Sequence, residues 1–255
     1  MTAPVFTGVG VALLTLFSDD QEVDVAATSA HAARLVELGV GAVVVAGSTG
    51  EAPALSADER LALLDGVRSA VPDTIPVLAG TGAAATRTAV ALTRAALEHG
   101  ADGVLCLSPP GVTDPRSYYR AVAESAGEAP VLAYHFPAVS PPGIAVDLLP
   151  QLPVAGLKDS SADPERLLET LQCFPGHVYT GSSALLSFAG PLGCTGAILA
   201  LANRAPETCV AAFGGDADAQ RRLTTEHLAS RRGFPVGLKQ LVAERFGTST
   251  VARLG

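Results

Sequence analysis

Lys158 lies in Val154-Ala155-Gly156-Leu157-Lys158-Asp159-Ser160-Ser161, an apolar run that turns polar at its end. A lysine drawn into a buried strand is costly as a cation, and its neutral amine is a nucleophile toward carbonyl carbon. The plainer alternatives are a strand-end lysine whose ammonium reaches solvent, or one paired with Asp159; position alone does not separate the three. Tyr134, in Ala133-Tyr134-His135-Phe136-Pro137, ends another apolar run, where a phenol either moves protons for such a lysine or satisfies itself with one hydrogen bond in the core. Gly47-Ser48-Thr49-Gly50-Glu51 places two hydroxyls between two glycines. Amides and hydroxyls so arranged can hold a carboxylate, although a bare tight turn has the same composition. Gly181-Ser182-Ser183 and the stretch from Gly193 to Ile198 supply small residues that either leave room for a ligand or only pack. His135 follows Tyr134, so strand alternation turns it to the opposite face; it is read as structural, as are His31, His99, His177 and His227.

These residues need elements to position them. Short apolar runs recur eight times: Val9 to Phe17, Ala42 to Gly47, Pro76 to Gly80, Gly103 to Pro109, Pro130 to Pro137, Val154 to Ser161, His177 to Ser183 and Gly196 to Asn203. Most are apolar throughout, as parallel strands covered on both faces must be. Helical segments separate them. Ser56 and Glu59 have capping-box spacing ahead of Arg60 to Ser69, and Thr86 to His99 stops at Gly100. No glycine-rich dinucleotide turn follows the first run, so the expected fold is α/β, a (β/α)8 TIM barrel over residues 1–205. A C-terminal helical extension, 206–255, packs on the barrel without forming a domain: one long helix from Pro206 to Ala229, a break at Gly233-Phe234-Pro235, and a shorter helix from Pro235 to Phe246. In such a barrel reactive groups come from the C-terminal ends of strands, where Ser48, Thr49, Tyr134, Lys158 and Ser182 all fall.

Composition narrows the partners. Hydrophobic residues are 48% and charged residues 16% of 255, enough for one large core. A net charge of -8 and no basic cluster larger than Arg231-Arg232 speak against a nucleic-acid footprint. The apolar stretch from Val9 to Phe17 is too short to span a bilayer and lacks a basic leader, so the expectation is a cytoplasmic protein with no membrane partner. Cys106, Cys173, Cys194 and Cys209 show no CxxC spacing and are read as reduced, with no metal site.

Together, Gly47-Ser48-Thr49-Gly50-Glu51, Tyr134-His135-Phe136-Pro137 and Gly156-Leu157-Lys158-Asp159 resemble the motifs of the dihydrodipicolinate synthase/N-acetylneuraminate lyase family of class I aldolases. The resemblance runs from about Gly8 to Asn203. It implies that Lys158 forms a Schiff base with pyruvate or another 2-oxo acid, that Tyr134 relays protons, and that Ser48 and Thr49 bind the oxo-acid carboxylate, with Gly47 beside them at the substrate. It further implies no cofactor, since the iminium is the electron sink, an aldehyde as second reactant, and a homo-oligomer, dimer or tetramer. Two departures bear on that aldehyde. The family's synthases carry an arginine two residues after the proline of the tyrosine motif, where this chain has Val139, and a tyrosine after strand four, where it has Ser108-Pro109-Pro110-Gly111-Val112 and none before Tyr118. The aldehyde pocket is therefore expected over Val139, Ser182 and Ile198, small and weakly polar, with Gly181 a further substrate-binding residue. Thr195 to Asn203, Pro206 and Gly233 to Val242 look like the 4-hydroxy-2-oxoglutarate aldolase branch. The expected reaction is cleavage or formation of a C–C bond in a 4-hydroxy-2-oxo acid. The alternatives are a true dihydrodipicolinate synthase with an arginine from elsewhere in the fold, and a barrel that only binds a 2-oxo acid.

Overall fold

The structure, a computed structural model, describes residues 3–254. Eight parallel strands close on themselves in chain order: β1 (Gly8–Ala12), β2 (Ala42–Val45), β3 (Val77–Gly80), β4 (Gly103–Leu107), β5 (Val131–His135), β6 (Gly156–Asp159), β7 (His177–Thr180) and β8 (Gly196–Leu199). The ring is sealed by β1 on β8, with Gly8 opposite Gly196 and Gly10 opposite Ile198. The expected (β/α)8 barrel is the observed fold. Most of its strands end earlier than the apolar runs do, β3 being the exception. Leu13, Leu14, Leu16 and Phe17 stay buried after leaving β1, and Leu201–Asn203 forms a 3-10 turn rather than more of β8.

Side-chain alternation divides the core. Ala42, Val44, Leu78, Leu105, Leu132, Tyr134 and Ile198 point into the barrel, whose lower end is plugged by Phe6 against the Tyr179 ring at 4.8 Å. Their neighbours Val43, Val45, Val77, Val104, Val131 and Leu157 face outward to the helices. Those helices are α1 (Val25–Glu37), α2 (Ala57–Ala70), α3 (Thr86–Glu98), α4 (Arg116–Ala126), α5 (Pro164–Cys173), α6 (Leu186–Ala189) and α7 (Pro206–Phe213). The Ser56 box is formed, with Ser56 Oγ accepting from Glu59 N and Glu59 Oε2 accepting from Ser56 N at 2.7 Å. Between β5 and β6 the crossover is a 3-10 segment, Val146–Gln151, because Pro150 has no N–H and cannot continue an α-helix.

The single helix expected from Pro206 to Ala229 is instead two. Gly214-Gly215 breaks it, with Gly215 at φ 99°, and α8 (Ala217–Ser230) restarts on Asp216, whose carboxylate caps Asp218 N and Ala219 N. The last helix is α9 (Val236–Phe246). Leu223, Leu238 and Val242 from α8 and α9 join the same apolar cluster as Val9, Val11 and Leu199 of the barrel. Asn203 ties the seam: its Nδ2 donates to Ala12 O (2.7 Å) and Ala200 O (2.8 Å), and its Oδ1 accepts from Leu14 N (3.1 Å). Asn203→Ala should lower unfolding free energy by about 2 kcal/mol, since it strands buried backbone groups; a denaturant midpoint unchanged from native would refute that. Among the described residues no helix is long and apolar enough to cross a membrane, and all four cysteines are free thiols.

Candidate active site

Lys158 and Tyr134 occupy inward positions of adjacent strands and are register partners. The Lys158 ammonium nitrogen stands 4.2 Å from the centre of the Tyr134 ring, and the side chain is buried. Burial alone pushes its pKa from 10.5 down to about 7, so near neutrality a large share of the amine is unprotonated. Neither plainer alternative for Lys158 describes this geometry. Asp159 points outward, its Oδ2 2.7 Å from Arg166 Nε and its Oδ1 accepting from Ser161 N. The lysine is not on a solvent-facing rim.

The Tyr134 hydroxyl accepts from Ser160 Oγ at 3.4 Å and is hydrogen-bonded to Ser48 as well. Burial raises its pKa to about 12, so it is a phenol, not a phenolate, unless a neighbouring group draws its proton. These two serines give the phenol hydroxyl partners within one chain. The tyrosine missing after β4 is not replaced by Tyr118, whose hydroxyl is used by Ala83 and Cys106 on the outer side of the barrel. His135 is the outward neighbour expected: its Nδ1 accepts from Ile144 N at 2.9 Å, and burial holds its pKa down near 4.

The turn after β2 is set by strained backbone. Ala46 and Glu51, both non-glycine, take left-handed φ values of 50° and 56° on either side of Gly47-Ser48-Thr49-Gly50. Such conformations persist only where surroundings over-determine them. Gly50 is pinned by Thr15 Oγ1 donating to its carbonyl at 2.7 Å. Glu51 is fully buried, with its Oε1 2.6 Å from Lys239 Nζ and its Oε2 accepting from Arg253 N and Leu254 N. The amide N–H groups of Ser48 and Thr49 make no hydrogen bond among the described residues, so they remain available to an anion.

Two cavities open at this end of the barrel and share Ser48, Tyr134, Val139 and Phe234 as a common wall. One, of about 350 Å³, contains Lys158 together with Ser48, Thr49, Gly181, Ser182 and Ile198. The other, of about 510 Å³, runs past Gly47, Ser108 and Pro110 to Leu254. All the site residues expected from sequence therefore converge on the Lys158 cavity except Gly47, which lines the adjoining one. Val139 is at the rim, 52% exposed. A Cβ at Gly181 would displace Ser160 Oγ from its place beside Tyr134.

The wall of the Lys158 cavity extends beyond the residues expected from sequence. The Lys158 cavity also presents Ser160, Ser161, Ser183, Ser230, His227 and Arg231, and its volume lies in the range of ordinary ligand sites. His227, read from sequence as structural, sits at the cavity with its Nδ1 2.8 Å from Ser183 Oγ. Sequence reasoning missed His227, Ser230 and Arg231 because they come from α8 and its C-cap, after the barrel. The only available signal was the helical spacing of Gln220, Leu223, His227 and Arg231.

A (β/α)8 barrel with a half-neutral amine, a buried phenol and an anion-receptive turn at its C-terminal mouth has the equipment of an imine-forming lyase. Comparison with known proteins agrees. The model of the dihydrodipicolinate synthetase family matches residues 5–228. A 4-hydroxy-tetrahydrodipicolinate synthase of Salinibacter ruber is 32% identical over 93% of this chain and 85% of its own length, and one from Natronomonas pharaonis is 35% identical over 89% and 81%. Among solved structures, YagE of E. coli in complex with pyruvate superposes with a TM-score of 0.91 at 26% identity, covering 98% of this chain and 92% of that one. A dihydrodipicolinate synthase from Acinetobacter baumannii complexed with pyruvate gives 0.88 at 26%, covering 98% and 94%. This chain belongs to the dihydrodipicolinate synthetase family, a family of Schiff-base-forming lyases.

Proposed function

We propose that the protein is a class I lyase in which Lys158 forms a Schiff base with pyruvate or a related 2-oxo acid and a C–C bond is made or broken at the carbon beside the imine. The observation that carries this reading is the buried Lys158 amine, held near neutral pKa against Tyr134 in a cavity at the mouth of the barrel. The neutral amine attacks the 2-oxo carbon and gives a carbinolamine. Tyr134, between Ser48 and Ser160, delivers the proton with which the hydroxyl leaves as water. The resulting iminium withdraws the electron pair released when the C3–C4 bond breaks, as the 4-hydroxyl returns its proton to Tyr134 and becomes the aldehyde carbonyl; in the other direction the iminium gives up a C3 proton to become the enamine, whose C3 attacks an aldehyde. The Ser48 and Thr49 amides and hydroxyls hold the oxo-acid carboxylate throughout. The pyruvate complexes of YagE and of the Acinetobacter enzyme support pyruvate as that acid.

For the second reactant, a 4-hydroxy-2-oxo acid cleaved to pyruvate and an aldehyde is the first reading. Synthesis from pyruvate and aspartate semialdehyde is the second, favoured by the names of the Salinibacter and Natronomonas relatives. Steady-state assays of pyruvate release from 4-hydroxy-2-oxo acids, run beside condensation of pyruvate with aspartate semialdehyde, discriminate between them. Tyr134→Phe should lower kcat by about 10²- to 10⁴-fold, the usual worth of a positioned acid–base group. Trapping of pyruvate on Lys158 should persist in that variant. A kcat within threefold of native would remove Tyr134 from the proton path.

A further inference from the structure

We propose that Arg231 is the residue that selects the electrophile, binding a carboxylate on the aldehyde that meets the Lys158 adduct; this rests on the imine reading above. The cavity around Lys158 contains no aspartate or glutamate, and its one permanent cation besides the reactive lysine is Arg231. The segment after β5, Phe136 to Ser140, offers no guanidinium; it lines the wall with Pro137, Ala138 and Val139. An anion entering the mouth therefore meets one positive group and a series of hydroxyls.

Eight other arginines are committed within the fold, and none of the remaining ones lines the Lys158 cavity. Arg68, Arg116, Arg166, Arg204, Arg221, Arg245 and Arg253 each have a carboxylate partner. Arg60 donates to the Gly80 and Ala52 carbonyls. Arg231 makes no ion pair and no hydrogen bond through its side chain among the described residues. A guanidinium fork matches a carboxylate in two parallel hydrogen bonds, which makes it both a strong and an orienting contact.

Its placement is fixed by the docking of α8 on the loop after β7. Gln220 Nε2 donates to Ser183 O at 2.9 Å, Gln220 Oε1 accepts from Ser187 N at 3.0 Å, and His227 Nδ1 pairs with Ser183 Oγ at 2.8 Å. Leu223 between them is fully buried, and Ser230 Oγ donates back to His227 O. Residues 220, 223 and 227 recur at helical spacing, so one face of α8 grips the barrel and places its C-cap, Arg231, one turn on and exposed at the cavity mouth. Burial and the Arg231 charge both lower the pKa of His227, which leaves it neutral as a positioning partner for Ser183 rather than a second cation. A guanidinium carried on a helix after the barrel would thus do what the loop after β5 does not.

The test compares succinic semialdehyde with butanal, two four-carbon aldehydes that differ in a terminal carboxylate, with pyruvate as donor. Native protein should prefer the semialdehyde by about tenfold or more in kcat/KM. Arg231→Ala should lose about 10- to 100-fold on the semialdehyde and less than about threefold on butanal, with Arg231→Lys between. Borohydride trapping of pyruvate on Lys158 should be unchanged in both variants, as should their melting temperatures. Equal losses on the two aldehydes, or no native preference, overturn the assignment. Binding of succinic semialdehyde to Lys158→Ala protein, followed by ligand-detected NMR, isolates the arginine from the chemistry: it should weaken about tenfold or more on adding Arg231→Ala. If pyruvate is never trapped on the native protein, the imine reading fails, while this binding comparison still decides Arg231. Absent binding, or binding indifferent to Arg231, overturns it.

Discussion

Treatment with pyruvate and borohydride is expected to attach one reduced pyruvyl group per chain, at Lys158, and Lys158→Ala is expected to abolish it and lower turnover by about 10⁴-fold or more, as loss of a covalent nucleophile does. The labelling rate should rise with pH through a midpoint near 7, because only the unprotonated amine attacks and burial has brought its pKa there. Peptide mapping by mass spectrometry locates the label. An adduct on another lysine, or a titration near 10, would sink the assignment.

The same burial has a thermodynamic consequence of opposite sign. The folded-state pKa of about 7 lies below the 10.5 of an exposed lysine, so between those values the unfolded chain binds more protons. Stability therefore rises with pH across that window. Below pH 7 both states are protonated and the whole penalty is present; above 10.5 it vanishes. At about 1.4 kcal/mol per pH unit, the penalty is a few kcal/mol. Lys158→Met, which keeps the length and drops the charge, should be more stable than native by a few kcal/mol at pH 6 and by progressively less toward pH 10. The reactive amine is thus held at a cost to the fold that only function accounts for.

How far the sequence carried depends on the range of each interaction. Eight apolar runs and strand alternation were enough to place Lys158 and Tyr134 side by side inside a barrel, because parity along a strand is local and neighbours in the ring are neighbours in the chain. The ends of the strands were less legible: Leu13 to Phe17 is as apolar as β1 but leaves the ladder, and hydrophobicity reports burial, not pairing. Least legible was what lies across long separations. Arg231 and Lys239 each look like solvated positions on a polar helix face. Only the packing of α8 and α9 on the barrel turns one toward the Lys158 cavity and buries the other against Glu51. The Gly214-Gly215 break was visible in the residues, yet flanking helix formers on both sides masked it.

Lys239 carries the largest structural prediction. Its ammonium and the Glu51 carboxylate are both fully buried 2.6 Å apart, and Lys239 Nζ also donates to Val251 O at 2.6 Å and lies 4.3 Å from the centre of the Phe17 ring. Glu51 in turn accepts from Arg253 N and Leu254 N, so one ion pair joins α9, the segment from Val251 to Leu254, and the turn bearing Ser48 and Thr49. Removing one member of a buried pair leaves the other charge desolvated and unpaired, which costs about 3–5 kcal/mol. Lys239→Met should lose that much in denaturant unfolding, whereas Lys239→Met with Glu51→Gln should recover a substantial part, since two neutral groups carry no stranded charge. Because Glu51 holds its left-handed φ beside Thr49, the single variant should also raise KM for pyruvate more than it lowers kcat, and Val251 to Leu254 should become a site of limited proteolysis. A loss below about 1 kcal/mol, with KM unchanged, would mean that the pair is screened by water and that the turn stands without it.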